Sequence, residues 1–556
     1  MRISTIPQIY RHVNRWGEIL AVLSKYELGA WIGRIGPEAV KDVLKARGGA
    51  AIARLPWETR VRMALAELGP TFIKLGQLLS TRPDLVGVAL ADELQNLQTN
   101  VPADPPEVVA ALLEAEFRKP LNELFAEFDL QAHASASIGQ VHLARLPNGQ
   151  RVVVKLQRAD IQRKVAVDLD ILAGLAQWAD RLPEFHIYRP RGIVAEFHRT
   201  LRRELDFSRE LWYLEQFGRF FEGYPYVRIP RAYADLSSHR VLTMELVEGV
   251  KFSQLPAAAP PAFDPVETAR RGADVYCKMI FCHGLYHADP HPGNLLLMDD
   301  GRIGLLDFGM VGRMDEGLHE LVGELLLAVT DQDPEQLTAL LVRIGHAPKQ
   351  LDRSALSADV ADFVSLYGHQ SLEKFDLAGA LRDLTEMIRR YSIVLPPSLA
   401  LLLKVVITLE GTSRLVCPRF SLIEVMQPYH RTIFWRRYSP RRRMRKARRA
   451  MGELERLLES LPRSLSEIMQ QVQSGTFDVH LDHRGLEPSV NRLVLGMLSS
   501  ALFLSSALLL SHKVPPTPFG FGVSAPGLAG LVVAVWLGWR LWVAISRSGK
   551  LDRPRE

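Results

Sequence analysis

Three oxygen-bearing side chains in this sequence are spaced to do chemistry together. Asp289 and Asn294 lie in His287-Ala-Asp-Pro-His-Pro-Gly-Asn294, and Asp307, thirteen positions after Asn294, lies in Leu306-Asp-Phe-Gly309. Phosphoryl transfer calls for such a set: a carboxylate to orient or deprotonate the nucleophile, and an Asn and an Asp to hold magnesium on a nucleotide's phosphates. Magnesium prefers oxygen ligands, so Asn and Asp suit it where His or Cys would not. Asp289 is then the catalytic carboxylate, and Asn294 and Asp307 are the metal ligands. Alone, Asp-Phe-Gly is a common tripeptide and His-x-Asp a common loop. Their order, their spacing and the apolar runs Leu295–Met298 and Ile303–Leu306, expected as a hairpin about the turn Asp299-Asp-Gly301, give the catalytic reading its weight.

A lysine belongs to the same chemistry. Lys155 follows Val152-Val-Val154 on an expected strand, where a kinase-like lobe places a lysine on the α- and β-phosphates and holds it with a carboxylate. Glu204 and Glu210 are both available, on one long helix expected from Arg191 to Phe220. The turn that would cover the phosphates reads Ala134-Ser-Ala-Ser-Ile-Gly-Gln140. Alanines restrict φ and add β-carbons, so this turn should be stiffer than a glycine-rich one and fit a nucleotide differently. Ala136 and Ser137 are its cofactor-facing candidates, with Ser135 as a second hydroxyl.

These groups need a scaffold, and the pattern supplies strands first and helices later, an α+β plan with two lobes. Helical periodicity runs from Trp57 to Leu79, and a further helix follows Pro83 to about Leu97. Asp104 before Pro105-Pro-Glu107 reads as a capped helix start, with that helix ending near Phe117 and a short one near Leu121–Phe128. Ala134–Ser137, Gln140–Leu146 and Arg151–Leu156 read as strands, the last two joined by the hairpin turn Pro147-Asn-Gly149. Helices at Ile161–Arg181 and Arg191–Phe220 follow, then strands at Val227–Ile229 and Arg240–Leu246, with Glu245 where the lobes would join. After Gly309 the chain enters a helix near Leu318–Val329, with little room for a long activation loop and no Ala-Pro-Glu. A peptide-docking platform is therefore not expected.

At 556 residues the chain is too long for one simple core. Its net charge of +6 is modest but unevenly spread: Arg436 to Arg449 holds nine Arg or Lys and no acid. With Phe434, Trp435 and Tyr438 beside it, this run reads as a contact for anionic lipid head groups before a nucleic-acid patch or a solvated face. Three cysteines are too few for a disulfide framework or a zinc site, and Cys277 and Cys282 read as buried thiols on one helix. The N-terminus lacks the apolar core and cleavage site of a secretory signal. Residues 1–56 read as a basic helical extension, solvated or else packed on a membrane or on the body. Leu493–Ser511 carries no charge and Gly527–Ile545 only Arg540, and each is near the length that crosses a bilayer core. Basic residues flank the pair on both outer sides and only Lys513 stands between them, so the positive-inside rule keeps the catalytic body and the C-terminus in the cytoplasm.

The alanine-rich Ala134–His142 stretch, the His287–Asn294 loop, Leu306-Asp-Phe-Gly309 and Thr71-Phe-Ile-Lys-Leu-Gly-Gln-Leu-Leu-Ser-Thr-Arg-Pro-Asp84 together resemble the UbiB/AarF family of atypical kinase-like proteins, over roughly residues 60–420. The resemblance implies an atypical protein-kinase-like two-lobed fold with an N-terminal helical extension and a C-terminal transmembrane helical hairpin. It also implies that Lys74-Leu-Gly-Gln77 lies on a helix folded over a nucleotide cleft. Lys74 and Gln77 with Glu204 and Asp206 would form a gating site, Lys74 turned toward the two carboxylates, and Glu210 would be the partner of Lys155. Read from the residues alone, Lys74 would be an exposed helix lysine. His291 and Pro292 stand where ordinary kinase catalytic loops often carry Lys and Pro, and a loop-stabilising role suits His291.

The expected layout is a helical extension over 1–56, a gating segment over 57–117, a small lobe over 118–250, a large lobe over 251–430, a basic linker over 431–490 and two transmembrane helices over 491–547. The expected function is a magnesium- and ATP-dependent kinase or ATPase at the inner (cytoplasmic) membrane, catalytic domain in the cytoplasm, that supports isoprenoid quinone biosynthesis of the ubiquinone type. The alternatives are a small-molecule or lipid kinase and a non-catalytic membrane scaffold for biosynthetic enzymes. The expected partners are ATP, lipid head groups, and quinone precursors or biosynthetic enzymes, with a homodimer left open and nucleic acid not expected.

Overall fold

The computed structural model describes residues 13–28, 55–97, 102–182, 185, 188–255, 263–345, 347–348, 351–368, 370, 376–437, 444, 451–452, 486–516 and 523–547. It divides into two units, residues 1–443 and 444–556. In the first, five helices precede the lobes: α1 (Val13–Lys25), α2 (Trp57–Leu68), α3 (Pro70–Ser80), α4 (Pro83–Val86) and α5 (Val88–Gln95). The helix expected over 57–79 is two helices. Gly69 has φ +96° between them, a conformation closed to residues with a side chain, and Pro70 has no N–H to continue the ladder. Gly87, at φ +86°, splits the next expected helix in the same way. The described part of the N-terminal extension packs on the body. Ile19, Leu20 and Tyr26 are buried, and Arg15 reaches Asp168 at 2.8 Å and the Leu68 carbonyl at 2.6 Å.

The small lobe follows as α6 (Pro106–Phe117), α7 (Leu121–Leu124), β1 (Glu127–Phe128), β2 (Ala134–Ser135), β3 (Gly139–Arg145), β4 (Arg151–Gln157), α8 (Ile161–Ala179), α9 (Pro190–Glu204), α10 (Phe207–Phe220), β5 (Val227–Arg228), β6 (Val241–Glu245) and β7 (Val250–Lys251). Its antiparallel sheet runs β1-β3-β4-β6, with β2 also on β3. Side chains alternate along a strand, so Val152, Val154 and Leu156 of β4 share one buried face. Each contributes about 1.5–3 kcal/mol on leaving water. Val109 and Leu113 of α6 join that same cluster, so α6 packs with the small lobe and not with the gating segment expected over 57–117. Asp104 does not cap α6: Pro105 holds the cap position, and the Asp104 carboxylate accepts from the Ala159 N–H at 2.8 Å. Residues 127–128, expected at the end of a helix, form β1 because they pair with Ala144 and Arg145.

The large lobe holds α11 (Pro265–Cys277), β8 (Leu285–His287), β9 (Leu295–Leu297), β10 (Ile303–Leu305), β11 (Val311–Arg313), α12 (Glu316–Thr330), α13 (Pro334–Ile344), α14 (Arg353–Gly368), α15 (Leu377–Arg390), α16 (Pro397–Val416) and α17 (Leu422–Arg437). The predicted hairpin is β9–β10, flanked by β7 and by a parallel β5. Strands β8 and β11 pair antiparallel, His287 opposite Val311. Cys277 is buried as expected, but Cys282 lies in a π-helical turn after α11 and is exposed. Chain and lobes together give the α+β, kinase-like two-lobed architecture.

In the second unit α18 (Leu486–Ser511) and α19 (Ala525–Arg547) form a hairpin. Small residues let the two backbones approach. A β-carbon on Gly530 would meet the Ser506 hydroxyl at 2.3 Å, and Ser499 donates to the Ala534 carbonyl at 3.0 Å. Leu498, Leu504, Leu508, Val532, Trp536 and Trp539 are exposed on the pair. Of the basic run 436–449, residues 438–443 and 445–449 lie outside the described residues, as do 453–485 of the linker.

Candidate functional site

Lys155 lies on β4 between Val141 of β3 and Leu242 of β6, on the face opposite the buried valines. Its ammonium donates to both oxygens of Glu210, at 2.9 and 2.8 Å, and to Asp307 Oδ1 at 3.2 Å. The long helix expected over 191–220 is broken to make this possible. Leu205 ends α9, and Asp206 leaves the helical region and caps α10 by accepting from the Ser208 N–H at 3.2 Å. The break turns Glu204 and Glu210 toward different lysines. Burial alone would lower the Lys155 pKa, but Asp307 and Glu210 outweigh it and hold the group charged. Lys155, with Lys74 behind it, holds the Asp307 carboxyl well below the usual carboxylate range. Asp307 takes φ +54°, and its side chain is 55% exposed to the open cleft.

The 287–294 loop is joined to itself and to the Asp307 loop. The Asn294 amide donates to Asp289 Oδ2 at 2.8 Å, and the Leu306 N–H donates to the Asn294 carbonyl at 2.9 Å, which ties the two loops together. His291 is exposed and accepts from the Gly293 N–H at 3.1 Å, the loop-stabilising arrangement. Sequence reasoning passed over His287. It is fully buried, accepts from the Asp289 N–H at Nδ1 (3.2 Å), and through Nε2 meets the Leu306 and Asp307 carbonyls at 3.0 and 2.9 Å. One imidazole therefore spaces the Asp289 loop from the Asp307 loop. Phe308 packs on it, ring centroids 5.2 Å apart, and on Phe217 of α10 at 5.0 Å. His-x-Asp was visible in the sequence, but the carbonyls that hold the ring, those of Leu306 and Asp307, belong to a second loop nineteen and twenty positions further on, which local spacing does not pair with it.

Lys74 on α3 donates to Glu204 Oε1 at 3.0 Å. Burial works against its charge, and Glu204 and Asp307 more than restore it. Lys74, Gln77 and Glu204 line one cavity with Met310. Asp206 does not join Lys74: its carboxylate is occupied by the Ser208 N–H and hydroxyl at the α10 cap, although it lines a neighbouring cavity with Glu204 and Glu210. Gly76 faces the Leu94–Leu97 turn, where a β-carbon would come 2.3 Å from a Leu97 methyl. The end of α3 is tied to the large lobe by a buried fork: Arg82 bonds both Asp84 oxygens at 2.9 and 2.8 Å, and the Leu395 N–H donates to Asp84 at 3.1 Å.

The Ala134–Gln140 turn is braced by Arg158, which sequence reasoning did not single out. Arg158 donates to the Ala136 carbonyl at 3.0 Å, the Pro102 carbonyl at 2.5 Å and the Ser135 hydroxyl. Ser137 is buried. A second residue it missed is Lys404 of α16, whose ammonium lies 4.0 Å from Asp289 Oδ1.

These groups fit a magnesium nucleotide. Among the described residues no cluster of three or more His, Cys, Asp or Glu is placed to hold a metal by itself. Asn294 and Asp307 would offer two oxygens beside a lysine pair, and magnesium in nucleotide sites takes one or two protein oxygens and completes its shell with phosphate and water.

Comparison with known proteins identifies the family. The ABC1 atypical kinase-like domain matches residues 96–341, the UbiB helical domain residues 360–421 and the ABC1/UbiB kinase-like C-terminal domain residues 480–547. A probable protein kinase UbiB of Xanthomonas campestris pv. campestris is 32% identical over 520 residues, covering 89% of this chain and 93% of that protein. An uncharacterised protein of Synechocystis is 30% identical over 555 residues, covering 97% of this chain and 92% of its own length. The chain therefore belongs to the UbiB family of ABC1 atypical kinase-like proteins.

Proposed function

We propose that this chain is a membrane-anchored, magnesium- and ATP-dependent atypical kinase or ATPase that supports the making of an isoprenoid quinone. The observation that carries the nucleotide part is the Lys155 ammonium, 2.8 Å from Glu210 and 3.2 Å from Asp307. A strand lysine held by a helix glutamate beside the Asp of Asp-Phe-Gly is the phosphate-holding arrangement of kinase-like lobes. Lys155 would bind the α- and β-phosphates, with Glu210 fixing its direction. Asn294 and Asp307 would hold magnesium, which neutralises charge on the phosphates when bound. Asp289 would take the proton of the attacking hydroxyl or water. The α3 helix with Lys74 would close the cleft on the side where a protein substrate would approach, which favours a small acceptor or water.

The membrane part rests on the exposed apolar surface of the hairpin. Leu493–Ser511 and Ala525–Val543 have mean hydropathies of 2.2 and 1.4. Arg540 lies over the Trp536 ring at 5.0 Å near the end of its span, where a guanidinium and an indole suit the interface. The flanking basic residues put the catalytic body on the cytoplasmic side. The quinone part rests on the family resemblance, and the acceptor is a quinone precursor or water.

The test is Asp307→Asn in the purified full-length chain. Magnesium-dependent ATP turnover should fall at least about 100-fold, the scale of losing one preorganised charged group. Turnover equal to the parent's would remove Asp307 from the metal site. A strain lacking this chain and complemented with Asp289→Asn should not recover quinone; recovery would favour the scaffold.

A further inference from the structure

The catalytic loop of this chain lacks the lysine that ordinary kinase loops often carry two residues after the aspartate. Its place is taken by His291, whose ring is exposed and accepts from its own loop. The cation near Asp289 comes instead from α16, in the segment matched by the UbiB helical domain. The Lys404 ammonium lies 4.0 Å from Asp289 Oδ1, with 13% of the side chain exposed. Asp289 Oδ2, by contrast, is engaged by Asn294 at 2.8 Å. The helix that brings Lys404 is fixed to the same loop about two turns further on, where the Thr412 hydroxyl donates to the Pro290 carbonyl at 2.8 Å. This placement is built by the fold and is not the reach of a surface chain.

Lys404 also differs from the other two lysines of the cleft. Lys74 and Lys155 each donate to a glutamate within 3.0 Å. Among the described residues Lys404 has no carboxylate within hydrogen-bond distance, and Asp289 is its ion-pair partner. Burial lowers its pKa, Asp289 only partly offsets this, and Lys74 opposes its charge further. An ammonium that keeps some exposure and has no carboxylate within hydrogen-bond distance is open to an incoming anion.

We propose that Lys404 holds the terminal phosphoryl group of the bound nucleotide, doing from the helical segment what a loop lysine does elsewhere. This rests on the nucleotide reading above and adds a residue to it. In the transfer step the bond between the terminal phosphorus and its bridging oxygen breaks, and its electron pair stays with the nucleoside diphosphate. The new bond forms to the acceptor oxygen, whose proton passes to Asp289. Lys404 donates to a non-bridging oxygen of the moving group and so gains its missing acceptor.

The consequence is discrimination between ATP and ADP. The experiment compares the full-length chain in detergent with Lys404→Met and Lys404→Arg. ATP and ADP affinities are measured by titration with magnesium and again with EDTA, alongside ATP turnover and melting temperature. Lys404→Met should weaken ATP by about tenfold and leave ADP within about twofold, since one charge-assisted bond to the terminal phosphate is lost. Turnover should fall about 100-fold, with Lys404→Arg recovering part of it. An unchanged ATP-to-ADP ratio with unchanged turnover overturns the assignment, and so does an equal loss of both nucleotides with a lower melting temperature. A parent that binds both nucleotides beside a Lys404→Met variant with the parent's ratio sinks Lys404 alone. A parent that binds neither nucleotide sinks the nucleotide site and Lys404 with it.

Discussion

Two lysine–glutamate pairs face this cleft, and their carboxylates stand only six positions apart in the chain, at Glu204 and Glu210. They are similarly buried, with side-chain exposures of 19% and 8% for Lys74 and Glu204 and 13% and 5% for Lys155 and Glu210. Burial therefore does not separate them; the mounting of each lysine does. Lys155 sits on a strand hydrogen-bonded on both sides, and it grips both oxygens of a glutamate in the same lobe. Lys74 makes one bond, from a short helix that begins at the Gly69–Pro70 break and is anchored beyond its far end by Arg82 and Asp84. The first pair is part of a sheet. The second joins a lobe to a segment outside it, and such a contact can open without unfolding anything. A pair mounted within one lobe would suit phosphate binding, and one between segments would suit control of access.

The sharpest way to break this comparison is to remove one carboxylate at a time. Glu210→Gln should cost about 3 kcal/mol of stability and at least about 100-fold in turnover, because Lys155 is left buried with only Asp307 as a partner. Glu204→Gln should leave turnover within about tenfold of the parent and speed nucleotide release, since it loosens a contact between segments. If the two variants lose stability and activity alike in melting and turnover assays, the distinction between the pairs is wrong.

His287 sharpens the same contrast from the large-lobe side. His287→Ala should lower ATP turnover about 100-fold and nucleotide affinity by less, because it misplaces Asp289 and Asp307 while Lys155 keeps both oxygens of Glu210. A loss of affinity equal to the loss of turnover would show that the ring supports binding and not alignment. The smallest effect is expected at Gly139. A β-carbon there would meet the Leu156 carbonyl oxygen at 2.8 Å, on the strand next to Lys155, and backbone cannot yield as a side chain can. Gly139→Ala should cost about 1–3 kcal/mol and weaken nucleotide binding together with the melting temperature, leaving Lys74–Glu204 chemistry alone.

Much of the fold was legible because it is local. The Pro147-Asn-Gly149 turn, the β9–β10 hairpin and the strand of valines before Lys155 announce themselves within a few residues, and each formed where the pattern put it. The helices read as too long share one cause. Gly69 and Gly87 sit in stretches whose apolar period continues across them, so the helices read as unbroken while the backbone turns at φ +96° and +86°. Arg191–Phe220 read as one helix for the same reason, because a period does not register the cap that Asp206 makes.

The sequence by itself determined which groups could hold a nucleotide, since Asp289, Asn294 and Asp307 are marked by residue type and short spacing and Lys155 by the valine strand before it. Residue type alone left open which carboxylate serves which lysine, a pairing that the family resemblance implied; only the tertiary structure decided that Lys74 takes Glu204 and not Asp206, that one buried imidazole spaces the two loops, and that Lys404 reaches Asp289 from more than a hundred residues away. The physical reason is range. Turns, strands and caps are set by neighbours along the chain, whereas a charge buried in a cleft takes its partner from whatever element packing brings opposite it.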